Sequence, residues 1–180
     1  LAEDLSPPPL WSRFVTLAEV GRARQVVDLE ADGPTRIAIA RELDLERLDR
    51  LTGRVVLRPW LDGAEIDGVL EASVTQICSV SGEPFEQVLT GHFTVRAVPA
   101  GSDAAPSLEL AEVDIDPEGD DPPDVLESDR IDVAAYVVEH LALEIDPFPR
   151  KPGAVFEPPR DQAVISPFSV LKKLQGKDPA

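Results

Sequence analysis

Much of the stretch from Val55 to Val98 alternates apolar and polar residues with a period of two between short turns, and few folds satisfy such a run. Val55, Val56 and Leu57 lead to Trp60, and Asp62-Gly63 then marks a hairpin turn. Beyond it Ile66, Leu70, Ala72 and Val74 keep to even positions through a long strand. Gly68 interrupts that strand and is expected to permit a bulge or a bend. Ser81-Gly82 with Pro84 makes the next turn. From Phe85 to Val98 another strand puts Phe93, Val95 and Ala97 on one face and His92, Thr94 and Arg96 on the other. Three or more antiparallel strands in a meander are the simplest solution.

The flanks complete an α+β reading. Residues 1–13 form a flexible lead-in, and Phe14, Val15, Leu17 and Val20 begin the first apolar stretch. Val26, Val27 and Leu29 suggest a strand, Gly33-Pro34 a turn, and Ile37 with Ile39 a short half-buried strand. Leu43, Leu48 and Leu51 recur at helical spacing over Arg41–Leu51, with Gly53 placed as a C-cap. Asp132 is the expected N-cap of a helix running to about Leu143, with Ala134, Ala135, Val138, Leu141 and Ala142 on its apolar face. Pro147 and Pro149 end it. Ser166-Pro167 opens a last short helix with Phe168, Leu171 and Leu174 as its stripe and Lys172 and Lys173 opposite.

The expected architecture is a twisted antiparallel sheet, with curling towards a barrel left open, flanked by about three helices. The domain spans 14–149, and a proline-rich tail follows over 150–180. Burial of Ile66, Leu70, Val74, Phe93, Val95, Val138 and Leu141 is expected to supply most of the stability, roughly 1.5–3 kcal/mol for each large apolar side chain. Residues 99–128 are expected to be a mobile acidic loop, with a short strand at Val113 and Ile115.

Charge narrows the function. The formal net charge is −17, from 34 acidic and 17 basic side chains. Nucleic-acid affinity comes mainly from Lys and Arg neutralising phosphates, so extensive RNA or DNA binding is disfavoured and a basic protein partner is favoured. Solubility alone is the competing explanation. The tail reverses the sign, with Arg150, Lys151, Arg160, Lys172, Lys173 and Lys177 against Glu157, Asp161 and Asp178. Its helix is expected to dock on its own core or, second, on a partner.

Cys78 is the only cysteine, which excludes an intramolecular disulfide and a thiolate zinc cluster. No apolar run reaches the roughly 20 residues that span a bilayer, and the first residues lack a signal-peptide pattern, so the cytoplasm is the expected compartment.

The search for catalytic chemistry finds little. The glycines stand singly in turns and make no phosphate-binding loop. His92 and His140 fall on different elements and read as surface or satisfied histidines. Cys78 reads as a small buried residue, although His92 is placed where it might reach across the hairpin. Asp120-Asp121 lacks the spacing of a calcium loop, and Glu139 has no visible partner for acid–base work. Neither an enzyme nor a cofactor or metal site is expected.

A resemblance emerges from four stretches taken in order. They are Gly63–Cys78 ending in Gln76-Ile77-Cys78, and the Glu83-Pro84-Phe85 turn. Asp129-Arg130-Ile131-Asp132-Val133 then leads into Val138-Glu139-His140-Leu141-Ala142-Leu143, and Ser166-Pro167-Phe168-Ser169-Val170-Leu171-Lys172 closes the chain. Together, over roughly 14 to 174, they resemble the YceD family, the large ribosomal RNA subunit accumulation proteins. Some members carry cysteine pairs; this chain has Cys78 alone. The resemblance implies ribosome biogenesis, in accumulation or processing of large-subunit ribosomal RNA, and supplies no mechanism.

With the charge argument, the expectation is a non-catalytic factor that binds a basic ribosomal protein or a pre-ribosomal particle, without a membrane role. The candidate contacts are Asp120, Asp121, Asp124, Asp129, Asp132 and Glu139. The alternative is an RNA-binding module in which Arg22, Arg24, Arg54, Arg58, Arg96 and the tail lysines converge. An enzyme using Cys78 or Glu139 ranks last.

Overall fold

The computed structural model describes residues 9–106 and 121–156. In chain order the elements are β1 (Phe14–Thr16), α1 (Leu17–Arg22), β2 (Gln25–Glu30), α2 (Gly33–Glu42), β3 (Arg47–Trp60), β4 (Gly63–Ile77), β5 (Pro84–Pro99), β6 (Asp124–Leu126), β7 (Arg130–Asp132) and α3 (Val133–Glu144). The fold is α+β. One five-stranded sheet has the order β2-β3-β4-β5-β6, and β1 pairs β7 in a separate ribbon.

The meander read from the alternation is present as β3, β4 and β5, all antiparallel. Leu51, Val55 and Leu57 of β3, Ile66, Leu70, Ala72 and Val74 of β4, and Phe93 and Ala97 of β5 are buried on the inner face. Val95 and Val138, expected in the core, are only half-buried. Three helices occur among the described residues, and their core residues (Val20, Ile39, Ala40, Val137 and Leu141) join one apolar cluster with that inner face. The other face alternates out to solvent, as antiparallel sheets allow. The sheet is not closed into a barrel: β2 and β6 are its two edges. Nor is it wholly antiparallel, because β6 joins β5 in parallel through Ala97↔Asp124, Val98↔Val125 and Pro99↔Leu126. Asp124–Leu126 is therefore a strand inside the stretch expected to be a loop. The expected strand at Val113 and Ile115, and the helix from Ser166-Pro167, lie outside the described residues.

Two expected elements are replaced by others. Residues 33–42 form a helix instead of a turn and a strand. Asp32 caps it, its Oδ1 accepting from the Thr35 amide at 2.9 Å, and Pro34 stands in the first turn, where its missing N–H costs nothing. Ile39 is fully buried while Ile37 is exposed, as a helix face requires. The helix expected over Arg41–Leu51 is mostly strand. Its apparent three-residue spacing arises from a bulge, since the β3–β4 register shifts between Leu48 and Arg50. One extra residue lets Leu48 and Leu51 both face inward, which imitates a helical period. Gly53 is not a cap but mid-strand, under Val137 of α3.

α1 begins with a capping box in which the Thr16 hydroxyl accepts from the Glu19 amide while Glu19 accepts from the Thr16 amide. α3 begins at Asp132 as expected. Its buried face is Val133, Ala134, Val137 and Leu141, whereas Ala135 and Ala142 are exposed. The hairpin turn falls one residue early, at Leu61-Asp62, since Trp60 pairs with Gly63. Leu61 takes the left-handed conformation there, at φ 49°.

Gly68 does not bulge, because β4 keeps continuous register with both neighbours across it. It makes room instead. A Cβ at this position would lie 2.1 Å from Cζ of Phe93, which stands opposite on β5. The ring covers the glycine backbone, and His140 of α3 stacks on the ring with centroids 4.0 Å apart. A Gly68→Ala substitution should therefore displace Phe93 and loosen α3. We expect a loss of about 1–3 kcal/mol, the usual range for overpacking. Denaturant unfolding of the variant beside the parent measures it, and an unchanged midpoint contradicts this packing.

Candidate functional site

The short strand β6 is what assembles the acidic site. Its parallel pairing carries Asp124 to the edge of the sheet nearest α3, where the Tyr136 hydroxyl donates to Asp124 Oδ2 at 2.7 Å. Tyr136, Glu139 and His140 share one side of α3, being three and four residues apart. With Thr94, Val95 and Arg96 of β5 and with Asp121, they enclose a cleft of about 360 Å³. A second hollow of about 390 Å³ borders Tyr136 and is lined by Asp124, Asp132 and Glu139. Burial and the adjacent Asp124 carboxylate push the Tyr136 hydroxyl far above its ordinary pKa, with the charge of Glu139 adding to the effect. The phenol stays protonated and acts as a fixed donor.

Four of the six candidate acids thus surround one tyrosine: Asp121, Asp124, Asp132 and Glu139. Asp132 is committed to structure as well. Its Oδ1 accepts from the amides of Arg13, Ala134 and Ala135 at 2.8, 3.2 and 3.4 Å. It holds the start of α3 and ties Arg13 to it, although Arg13 falls in the expected lead-in. Asp129 lines neither hollow; it is exposed, and its carbonyl accepts from the Leu17 amide at 2.9 Å. Asp120 lies outside the described residues. Tyr136 itself was not foreseen, and a tyrosine between two apolar helix positions gives little to read in sequence.

Both histidines differ from any metal or catalytic pair. His140 Nδ1 lies 2.8 Å from the Tyr136 carbonyl while its ring rests on Phe93. His92 is exposed and pairs with Val69, eight residues along β4 from Ile77 and so about 26 Å away at strand rise. It cannot reach Cys78, which closes the one nucleophile–base arrangement the sequence suggested. Among the described residues no group of three or more His, Cys, Asp or Glu is placed to hold a metal ion.

The arginines proposed for an RNA patch are mostly occupied by carboxylates. Arg54 pairs with Asp28 at 3.3 Å, and Arg58 pairs with Glu65 at 3.7 Å and with Asp67. Arg96 lies 3.7 Å from Glu65 and over the Trp60 ring at 5.1 Å. Arg50 and Arg47 bridge to Glu71 and Glu86 at 3.2 and 2.9 Å. The open face of the sheet is a lattice of paired charges. Each exposed pair adds little stability, but together they cancel the positive field that phosphates need.

Cys78 is buried, at 1% exposure, and its sulfur is an acceptor. The amides of Val80, Ser81 and Lys151 point at Sγ from 3.4, 3.4 and 3.3 Å. With the Ser79 amide donating to the Pro149 carbonyl at 2.8 Å, these bonds lash the chain after α3 onto the β4–β5 turn. The Ser81 hydroxyl, then the Lys151 and Ser81 amides, pull the thiol down to about 6 against the opposing cost of burial. A lowered folded-state value means stability that is full above the thiol's unfolded value and is lost as pH falls through about 6.

The domain is thus α+β, with helices on one sheet face, paired charges on the other and acids gathered at one edge. The family model described as large ribosomal RNA subunit accumulation protein YceD matches residues 66–175, and the chain belongs to that family. The match takes in most of β4, then β5 to β7, α3 and most of the tail. A search of the curated proteins gives no match, nor does one of the solved structures. The family's description ties the protein to accumulation of large-subunit ribosomal RNA and names no catalysed reaction. Among the described residues no helix is long and apolar enough to cross a membrane.

The thiol offers a direct check on this local geometry. In Ser81→Ala the titration of Cys78, followed by thiolate absorbance, should move upward from about 6. The pH dependence of stability between that value and the unfolded thiol's should also flatten. A titration that stays in place contradicts the hydrogen bonding described.

Proposed function

We propose that the protein supports accumulation or processing of large-subunit ribosomal RNA without catalysing a reaction, by binding a basic ribosomal protein or a pre-ribosomal particle. It works in the cytoplasm and uses no cofactor. The observation that carries this reading is the gathering of Asp121, Asp124, Asp132 and Glu139 around Tyr136 on the α3 edge of the sheet. Arginine and lysine side chains of a partner would meet carboxylates there, with the Tyr136 ring beside them to pack on aliphatic stems. The chain's net charge of −17 draws such a partner from a distance and repels bare RNA.

The alternative, direct RNA binding through Arg54, Arg58 and Arg96, is disfavoured by the carboxylates already beside those side chains. Arg22, Arg24 and the tail cations are left to it, which is a small set for a phosphate-binding surface.

Replacing Asp121 and Asp124 by Asn and Glu139 by Gln keeps shape and removes charge. At roughly 0.2–1 kcal/mol for each exposed ion pair, the triple variant should weaken association with ribosomal proteins about tenfold at low salt, and less as salt rises. Co-purification of these proteins with the variant at parental levels would falsify the reading.

A further inference from the structure

A groove of about 550 Å³ runs along the end of the sheet where α3 terminates. Ile77, Ala142, Ile145 and Pro149 give it an apolar lining, and Asp44, Glu46 and Asp146 stand on it as acids. Ile77 is 44% exposed there, an apolar strand residue left without cover. Among the described residues neither Asp44 nor Glu46 has a basic partner. The groove thus offers a mixed lining of apolar and polar side chains, with acids that no described base neutralises.

The chain reaches this groove and continues beyond it. Pro149 forms part of the wall, and the Lys151 amide is fixed on Cys78. A turn closed by the Ala154 amide on the Lys151 carbonyl at 3.0 Å, with Gly153 at φ 79°, brings the chain to Phe156. From there residues 157–165 can span at most about 30 Å, enough to return over the at most about 25 Å that separates Phe156 from Pro149. The next stretch, Ser166–Gln175, holds Phe168, Leu171 and Leu174 at helical spacing, with Lys172 and Lys173 between them. Apolar residues match the apolar part of the lining, and lysines match the acids. The family match joins both parts, running from β4 through α3 to residue 175.

We propose that this groove is the seat of the chain's own segment 166–175, with Phe168, Leu171 and Leu174 on Ile77, Ala142 and Ile145, and Lys172 and Lys173 facing Asp44, Glu46 and Asp146. The segment then belongs to the domain, and its lysines are neutralised by the core instead of being offered to RNA. This inference does not depend on which partner the acids around Tyr136 take.

Amide hydrogen exchange of the full chain tests it, with Leu171→Asp and the pair Lys172→Glu and Lys173→Glu as comparisons. Both changes lie in the segment, so the core's own packing is left intact. In the parent, amides of 168–174 should exchange at least about tenfold more slowly than in Leu171→Asp. The charge-reversed pair should lie between, and resonances of Ile77, Ala142 and Ile145 should shift in both variants. Exchange in the parent as fast as in Leu171→Asp overturns the proposal. Protection that appears only as protein concentration rises also overturns it, because the occupant is then a second copy.

Discussion

The contact on which the rest depends is the Phe93 ring lying on Gly68, with His140 stacked above. Without a side chain at Gly68, β4 lets the ring of its β5 neighbour fold down onto the sheet, where a Cβ would come within 2.1 Å. The ring in turn gives His140 a flat surface at 4.0 Å, and His140 is held from its own helix by the Tyr136 carbonyl. Gly53 repeats the device one strand away, bringing Val137 to within 2.9 Å of where its Cβ would be. Small residues in the strands and large ones from the helix interlock, and this fixes the depth at which α3 sits. Because Tyr136 and Glu139 occupy the same helix, the depth of α3 also sets where the acids meet Asp124 on β6.

Charge is segregated by architecture rather than by sequence. Along β2, β3 and β4 the outward positions place Arg50, Arg54 and Arg58 within reach of Glu71, Asp28 and Asp67, so one face of the sheet carries many charges and little field. The surplus of acid that makes the chain −17 must fall elsewhere. Part of it gathers at the edge made by β6 and α3. An edge strand of three residues exposes little backbone for mispairing, and acids beside it discourage addition of another strand. The same acids that guard the edge leave it attractive to cations on a partner.

Much of this was legible in the sequence where the physical period is clean. The alternation from Val55 to Val98 gave three strands with correct facing, and Asp132 announced its helix because a capping carboxylate is a local signal. Errors arose where local signals compete. Leu48 and Leu51 imitate a helix because a bulge inserts one residue, and no single-sequence pattern separates the two cases. Gly33-Pro34 reads as a turn until the Asp32 cap is recognised, and the Thr16–Glu19 box is a local signal of the same kind for α1. β6 could not be seen, since three residues in an acidic stretch gain their strand only from pairing with β5. For the site, composition indicated acids as the contacts. Only the fold could gather Asp121, Asp124, Asp132 and Glu139 around Tyr136 while leaving Asp129 apart.

The central claim is that the protein meets the ribosomal machinery through its acids and a basic protein, without gripping RNA. Its most direct test is affinity capture of the tagged protein from its own cell lysate, with and without ribonuclease, followed by identification of bound proteins and RNA. Basic ribosomal proteins should remain bound after ribonuclease and be released by salt. Capture of large-subunit RNA that collapses on ribonuclease, with no protein retained, would contradict the account and return the arginines of the sheet to the centre of it.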